Sequence, residues 1–253
     1  NPKDLPSFPS FNAFPLSTFV SKESRHMSTK PSQYSHIAVV MALISASLLA
    51  NNRLAGQEVL VKDLFKSAEA WEPTDAAAWK IKKVGEGPLA GHVYSQLKKK
   101  SKYKPPHRSP LNISWLKDVK VSRFQLDVEV LSTHKDYPHR DACLFFGFQD
   151  PAHFYYVHLG KKTDDHANQI FIVDGKPRTK ISTKTTPGTN WDEKWHRVRI
   201  IRQPADGTIQ VYFDDMKTPI MTASDKTFVS GRVGLGSFDD TTDWRNFKLQ
   251  GVR

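Results

Sequence analysis

The stretch Asp141 to Asp174, DACLFFGFQDPAHFYYVHLGKKTDDHANQIFIVD, constrains the fold of this chain more than any other. Two aromatic, apolar runs flank Asp150-Pro151, where proline presets the backbone of a turn. With Gln149 paired to Ala152, Phe146 lies opposite Tyr155 and Leu144 opposite Val157. Side chains alternate between faces along a strand. One face then carries Ala142, Leu144, Phe146, Phe148, Tyr155, Val157 and Leu159, which is the composition of a core. The other carries Cys143, Phe145, Gln149, Phe154, Tyr156 and His158. That face is too polar for a core and too aromatic for a plain solvated surface, and it is of the kind that holds sugars. A slip of one residue in the register would exchange the two faces.

Strand signals recur along the rest of the chain. They cover Val59–Phe65, Trp79–Val84, His92–Leu97, Ile113–Trp115 and Phe124–Leu131 before the hairpin. After it come Gln169–Val173, Arg178–Ser182, Trp195–Gln203, Ile209–Phe213, Ile220–Ala223, Arg232–Phe238 and Trp244–Gln250. Turn residues punctuate them at Asp174-Gly175-Lys176-Pro177, Pro204-Ala205-Asp206-Gly207 and Ser230-Gly231. Helical turns are expected only at Lys66–Ala70 and Thr74–Ala78. Many short strands at even spacing predict an all-β, antiparallel two-sheet sandwich rather than an α/β fold.

The N-terminal part reads differently. Lys30 followed by the apolar run Ile37–Ala50 has the form of a secretory signal peptide over residues 27–56, with cleavage between Ala50 and Gln57. The run is shorter than the roughly 20 residues that a spanning helix needs. Residues 1–26, rich in Phe, Pro and Ser, read as disordered or as lying before a true start at Met27. This leaves a single domain over 57–253, exported to the periplasm or the extracellular space, with membrane contact only through the signal peptide. A single cysteine excludes an intramolecular disulfide. Losing residues 1–56 removes five basic and two acidic side chains, so the formal charge of +11 becomes +8. Part of that surplus sits in Lys98–Lys104, KKKSKYK, read as a solvated loop that could also grip a polyanion. The longer Lys98–Pro110 segment is a candidate mobile loop. An exported protein meets little nucleic acid, so an acidic glycan is the expected charged partner.

The order FQLDVEV, LFFGFQDPAHFYYVHL, WHRVRIIRQPADGTIQVYFDD and GRVGLGSFDDTTDWRNFKL resembles the laminin-G-like, concanavalin A-type jelly roll. It is especially similar to the secreted bacterial branch that includes the 3-keto-disaccharide hydrolases. The similarity covers roughly Val59 to Arg253, and its motifs describe the fold more than an activity. Laminarinase-type hydrolases of this fold place their carboxylates as Glu-x-Asp-x-x-Glu on one strand. Here Gln125 takes the first position and Glu129 comes one residue early, so Asp127 and Glu129 read as outer-sheet acids.

The residues that could carry chemistry cluster elsewhere, at His139, Arg140, Asp141, Tyr156, His158, Asp164, Asp165 and His166. Tyr156 and His158 lie two apart on one strand face, and the Lys161–Asn168 loop can hang Asp164, Asp165 and His166 over its end. A histidine beside a carboxylate can act as a general base and a tyrosine as proton donor. That makes His158, Tyr156 and His166 the catalytic candidates of a glycoside hydrolase or polysaccharide lyase. For binding alone, Phe145, Phe154 and Trp244 offer flat rings, with Gln149, Arg140, Arg178, Asp164 and Asp165 as polar contacts. The sequence establishes no cofactor; calcium is a candidate at Asp239, Asp240 and Asp243, with Asp214-Asp215 as a second cluster. A transition metal on His158, Asp164 and His166 is the alternative. The leading reading is an exported jelly roll that binds or processes an oligo- or polysaccharide on its concave sheet. A laminin-G-type adhesion module is a further alternative.

Overall fold

The computed structural model describes residues 56–86 and 91–253, all within the unit Ala55–Arg253. The expected signal peptide and the stretch before it lie outside the described residues, apart from Gly56. In chain order the strands are β1 (Glu58–Asp63), β2 (Trp71–Pro73), β3 (Trp79–Val84), β4 (Gly91–Gln96), β5 (Asn112–Leu116) and β6 (Phe124–Ser132). The central hairpin is β7 (Asp141–Asp150) and β8 (His153–Gly160), followed by β9 (Gln169–Asp174), β10 (Thr179–Lys180) and β11 (Ser182–Thr185). The set closes with β12 (His196–Gln203), β13 (Thr208–Phe213), β14 (Met221–Ser224), β15 (Arg232–Ser237) and β16 (Thr242–Val252).

They form two antiparallel sheets, a jelly-roll sandwich as the strand spacing predicts. The seven-stranded sheet has the order β10-β9-β8-β7-β15-β5-β2. The nine-stranded sheet runs β11-β14-β13-β12-β6-β16-β4-β3, with β1 on β16. Strict alternation along β6 buries Phe124, Leu126, Val128 and Val130 between the sheets. Gln125, Asp127 and Glu129 face outward, where Arg199 bonds Asp127 at 2.8 Å and Arg245 bonds Glu129 at 2.6 Å. Two acids neutralised in this way serve the sheet surface.

The expected strand at Arg178–Ser182 is two strands. The chain leaves the seven-stranded sheet after β10 and joins the nine-stranded sheet at β11, turning at Ile181. The helical expectation reduces to one 3-10 turn, Ala76–Ala78, capped by the Asp75 carboxylate accepting from the Ala77 N–H. Strand β2 was not expected, being only three residues long.

The hairpin register holds along its body, with Phe146 opposite Tyr155 and Leu144 opposite Val157. Near the turn it shifts, and Asp150 pairs with His153. The irregularity centres on Gly147, which adopts φ 63°; a Cβ there would meet the Tyr155 ring at 2.9 Å. This bulge turns Phe148 away from the main core, where simple alternation placed it. Its ring lies instead 3.9 Å from that of Trp115 on the opposite face.

Candidate functional site

The outer face of the seven-stranded sheet carries a second apolar cluster, separate from the inter-sheet core. Strand alternation brings Cys143 and Phe145 from β7, Phe154 and Tyr156 from β8, and Phe171 and Val173 from β9 together with Ile113 and Trp115. The rings form a row: Phe145 and Tyr156 stack at 5.9 Å, and Tyr156 and Phe171 at 5.0 Å. All are buried, so this outer face is not an open groove.

What covers it is the segment after β4, the stretch expected to be mobile. Its half-buried Tyr103 packs on the cluster. The segment is pinned by the Lys102 N–H donating to Asp75 at 2.9 Å, Asn112 donating to the Lys99 carbonyl at 2.8 Å, and Ser101 donating to the Leu111 carbonyl at 2.5 Å. At the far side Phe238 and Arg178 complete the cover. The Arg178 guanidinium lies 4.3 Å from the Phe238 ring centre and donates to the Tyr156 hydroxyl at 3.0 Å. Arg108 lies 5.8 Å from the same ring, and its carbonyl accepts the Arg178 N–H. Neither arginine has an ion-pair partner among the described residues. The rim of this cover is thus one half-buried ring with two guanidinium groups within 6 Å of its centre.

Beneath it lies a polar floor. Cys143 and His158 face each other in register, and Asp141 sits two residues before Cys143 on the same face. His158 stacks on Phe238 at 5.7 Å and 10° between planes. Asp141 accepts the Phe238 N–H on Oδ1 at 2.8 Å. Its other oxygen, and both ring nitrogens of His158, are buried without a hydrogen bond among the described residues. Burial raises the Cys143 thiol well above its usual pKa, with the Asp141 charge adding to the effect. Burial does the same to the Tyr156 hydroxyl, against the pull of Arg178.

The structure brings Tyr156, His158, Phe145, Phe154, Arg178 and Asp141 together and separates the others. Gln169, the cross-strand neighbour of His158, donates to the Asp164 carbonyl at 2.9 Å and so ties the 161–168 loop to this end of the face. Asp164 itself caps that loop, accepting from the His166 and Ala167 N–H groups at 2.6 and 2.8 Å. Its ion pair is with His139 at 2.8 Å, while Asp165 binds Lys180 at 2.5 Å. Burial pushes the Asp164 pKa upward, but these N–H donors and His139 bring it below the usual carboxylate value. His166 is exposed, so His158, Asp164 and His166 do not gather around one point.

Arg140 is a structural side chain, buried and bonded to Ser132 Oγ at 2.9 Å and to the Asp192 carbonyl at 3.1 Å. Gln149 sits exposed at the hairpin end, its amide spent on the Gly147 and Ser230 carbonyls. Trp244 is wholly inside the main core, its indole N–H on Thr242 at 2.8 Å, and has no face for a ligand. The candidate calcium set does not assemble either. Asp243 points to Lys82 at 3.7 Å, while Asp240 is buried and accepts from the Tyr137 hydroxyl at 2.9 Å. Asp141 takes the place of Asp243 beside Asp239 and Asp240. Asp214 bonds His196 at 2.8 Å, and Asp215 caps its own turn through the Lys217 N–H.

Sequence reasoning passed over Arg108 and Phe238. Arg108 stands in a charged, proline-rich run, and Phe238 at the end of a strand. Only long-range packing joins them.

No family model and no curated protein matches this chain. Among solved structures, the carbohydrate-binding module CBM66 from Bacillus subtilis is similar at 15% identity and TM-score 0.50, covering 72% of this chain and 96% of its own. Peanut lectin is similar at 14% identity and TM-score 0.47, over 77% of this chain and 97% of its own. Lectin I-B4 from Griffonia simplicifolia follows at 12% and 0.45, over 76% and 98%. Sheet orders, core and the first of these similarities define the fold as a concanavalin A-like jelly roll.

Proposed function

We propose that the chain is an exported carbohydrate-binding domain that takes an acidic oligosaccharide at the mouth formed by Arg108, Arg178 and Phe238. The observation that carries this reading is the pair of unpaired guanidinium groups against one half-buried ring. The Phe238 ring shares its faces with His158 and Arg178, and its exposed part offers apolar contact to a sugar. Guanidinium groups suit its carboxylate or sulfate, which they bind in a bidentate fork. The Bacillus subtilis module of the same fold is named for carbohydrate binding, which supports the ligand class. The finer likeness to laminin-G-like and 3-keto-disaccharide hydrolase domains rests on sequence motifs alone. Catalysis by His158 and Tyr156 is the weaker reading, because both are buried and the tyrosine hydroxyl is engaged by Arg178.

Calorimetric titration of the full chain with uronic-acid, sulfated and neutral oligosaccharides tests this. Acidic sugars should bind and neutral ones should not, and Arg178→Gln should weaken binding about tenfold or more, the loss of one charged hydrogen bond. Binding confined to neutral sugars, or unchanged in a folded Arg178→Gln, overturns the reading. Export is checked by N-terminal sequencing of the secreted chain, expected to begin between Asn51 and Gln57.

A further inference from the structure

We propose that Asp141, Cys143 and His158 form a zinc-binding site in the floor of the second face. This inference does not depend on the sugar reading. One ligand atom from each residue lies within 4.8 Å of the other two. His158 Nε2 and Asp141 Oδ2 stand 3.7 Å apart. That is too long for a hydrogen bond and close to the roughly 3.3–3.6 Å that separates two ligands of one tetrahedral zinc.

A second observation points the same way. Asp141 Oδ2 and both His158 nitrogens are buried with no hydrogen-bond partner among the described residues. The three residues are 1%, 0% and 4% exposed, in the order Asp141, Cys143, His158. Buried polar atoms of native proteins find partners, and a group of them left over on one side calls for an ion or water. A cation between these atoms satisfies the carboxylate and one imidazole nitrogen at once.

The frame is also pre-arranged. Cys143 and His158 are directly opposed in the β7–β8 ladder, and Asp141 shares their face. The Phe238 N–H holds Asp141 Oδ1 at 2.8 Å, which leaves Oδ2 for the metal. The Phe238 ring stacks on His158 and limits its rotation. Such outer contacts orient ligands in metal sites. Without metal the thiol proton points to Asp141, Sγ to Oδ1 being 3.8 Å. Zinc binding releases that proton and forms a thiolate–zinc bond. Zinc, thiolate and carboxylate then sum to no net charge, which suits a buried position. A thiolate, an imidazole and a carboxylate are zinc ligands, and a soft sulfur disfavours calcium and magnesium.

Cobalt(II) reports the site. Because Cys143 is the one cysteine of the chain, a thiolate-to-cobalt charge-transfer band can come from nowhere else. Its burial calls for loading during refolding as well as on the native full-length chain. The expected result is one cobalt per chain with that band, displaced by zinc. The band should vanish in Cys143→Ser, and apparent affinity should fall at least tenfold in His158→Asn. A wild-type chain that refolds cooperatively but shows no band overturns the proposal. So does metal uptake that is unchanged in His158→Asn. If the variants fail to fold, the wild-type spectrum alone decides. Since the readout is metal uptake, its failure leaves the sugar titration untouched, and the reverse also holds.

Discussion

The two faces of the seven-stranded sheet are built by the same strands and both carry aromatic rings, yet they are closed in different ways. On the inner side Leu144, Phe146, Tyr155 and Val157 meet the nine-stranded sheet in a largely apolar core, crossed by a Tyr94–Ser114 hydrogen bond and with the Tyr155 hydroxyl on Asp225. On the outer side Phe145, Phe154, Tyr156 and Phe171 are covered by the partly buried Tyr103, Phe148 and Phe238 and by the Arg178 guanidinium. A sheet presents a continuous apolar lid, whereas a loop brings its own polar groups. The outer face keeps a thiol, an imidazole and a carboxylate from its own strands, and two arginines with no ion pair among the described residues. Closure by a loop is what leaves room for chemistry.

The comparison is most severely tested by Trp244→Ala. It removes a fully buried ring from the main core and should cost about 3–5 kcal/mol, read as a shift of the urea midpoint with the slope retained. The mouth should bind normally in whatever fraction stays folded.

The second test is electrostatic. Burial, with the neighbouring Asp141 charge, raises the Asp240 pKa to about 7 from 3.8. Between those values the folded chain holds a proton that the unfolded chain has released. The Asp240 contribution to stability therefore falls as pH rises from about 4 to about 7, by at most ~1.4 kcal/mol per pH unit, and is level above. His134, whose pKa is lowered chiefly by burial, works the other way below its unfolded value of 6.5. The difference between wild type and Asp240→Asn isolates the Asp240 part. Thermal melts across this range should show the variant gaining on the wild type as pH rises. A constant difference would remove the buried charge from the account of this edge.

Gly147→Ala tests the bulge that separates the faces. A non-glycine residue in this left-handed conformation costs about 1–3 kcal/mol, and its Cβ presses on Tyr155. The near-ultraviolet dichroism of the Trp115–Phe148 pair should change with it. The smallest effect is expected of Tyr156→Phe, which gives up one hydrogen bond from Arg178 and should cost about 1.5 kcal/mol, the low end for a bond to a charged group. A loss as large as that of Trp244→Ala would make the outer cluster a core like the inner one.

Much of this was legible in order of residues. The Phe146–Tyr155 pairing follows from a two-residue periodicity and a proline turn, both local signals. So do the alternation of β6 and the placing of Tyr156 and His158 on one face. The bulge was not legible, because Gly147 reads as an ordinary strand glycine until Tyr155 is seen against it. Trp244 looked like a sugar platform because an aromatic near a strand end suits a core and a binding face equally. Its depth is set by which sheet lies above it. The calcium set failed for a related reason: Asp239, Asp240 and Asp243 are neighbours in the chain, but the start of β16 turns Asp243 toward Lys82.

By itself the sequence determined the periodic features: strands, their antiparallel pairing, the sandwich, and the existence of a second aromatic face. These depend on contacts between residues close in the chain or repeated along it. Only the tertiary structure decided that this face is roofed and that Arg108, Arg178 and Phe238 meet at its mouth. The facing of Asp141, Cys143 and His158 below follows from the hairpin register, and only their closure under Phe238 is tertiary. The groups at the mouth come from segments up to 130 residues apart in the chain, from Arg108 to Phe238, and the packing that joins them leaves no periodic trace.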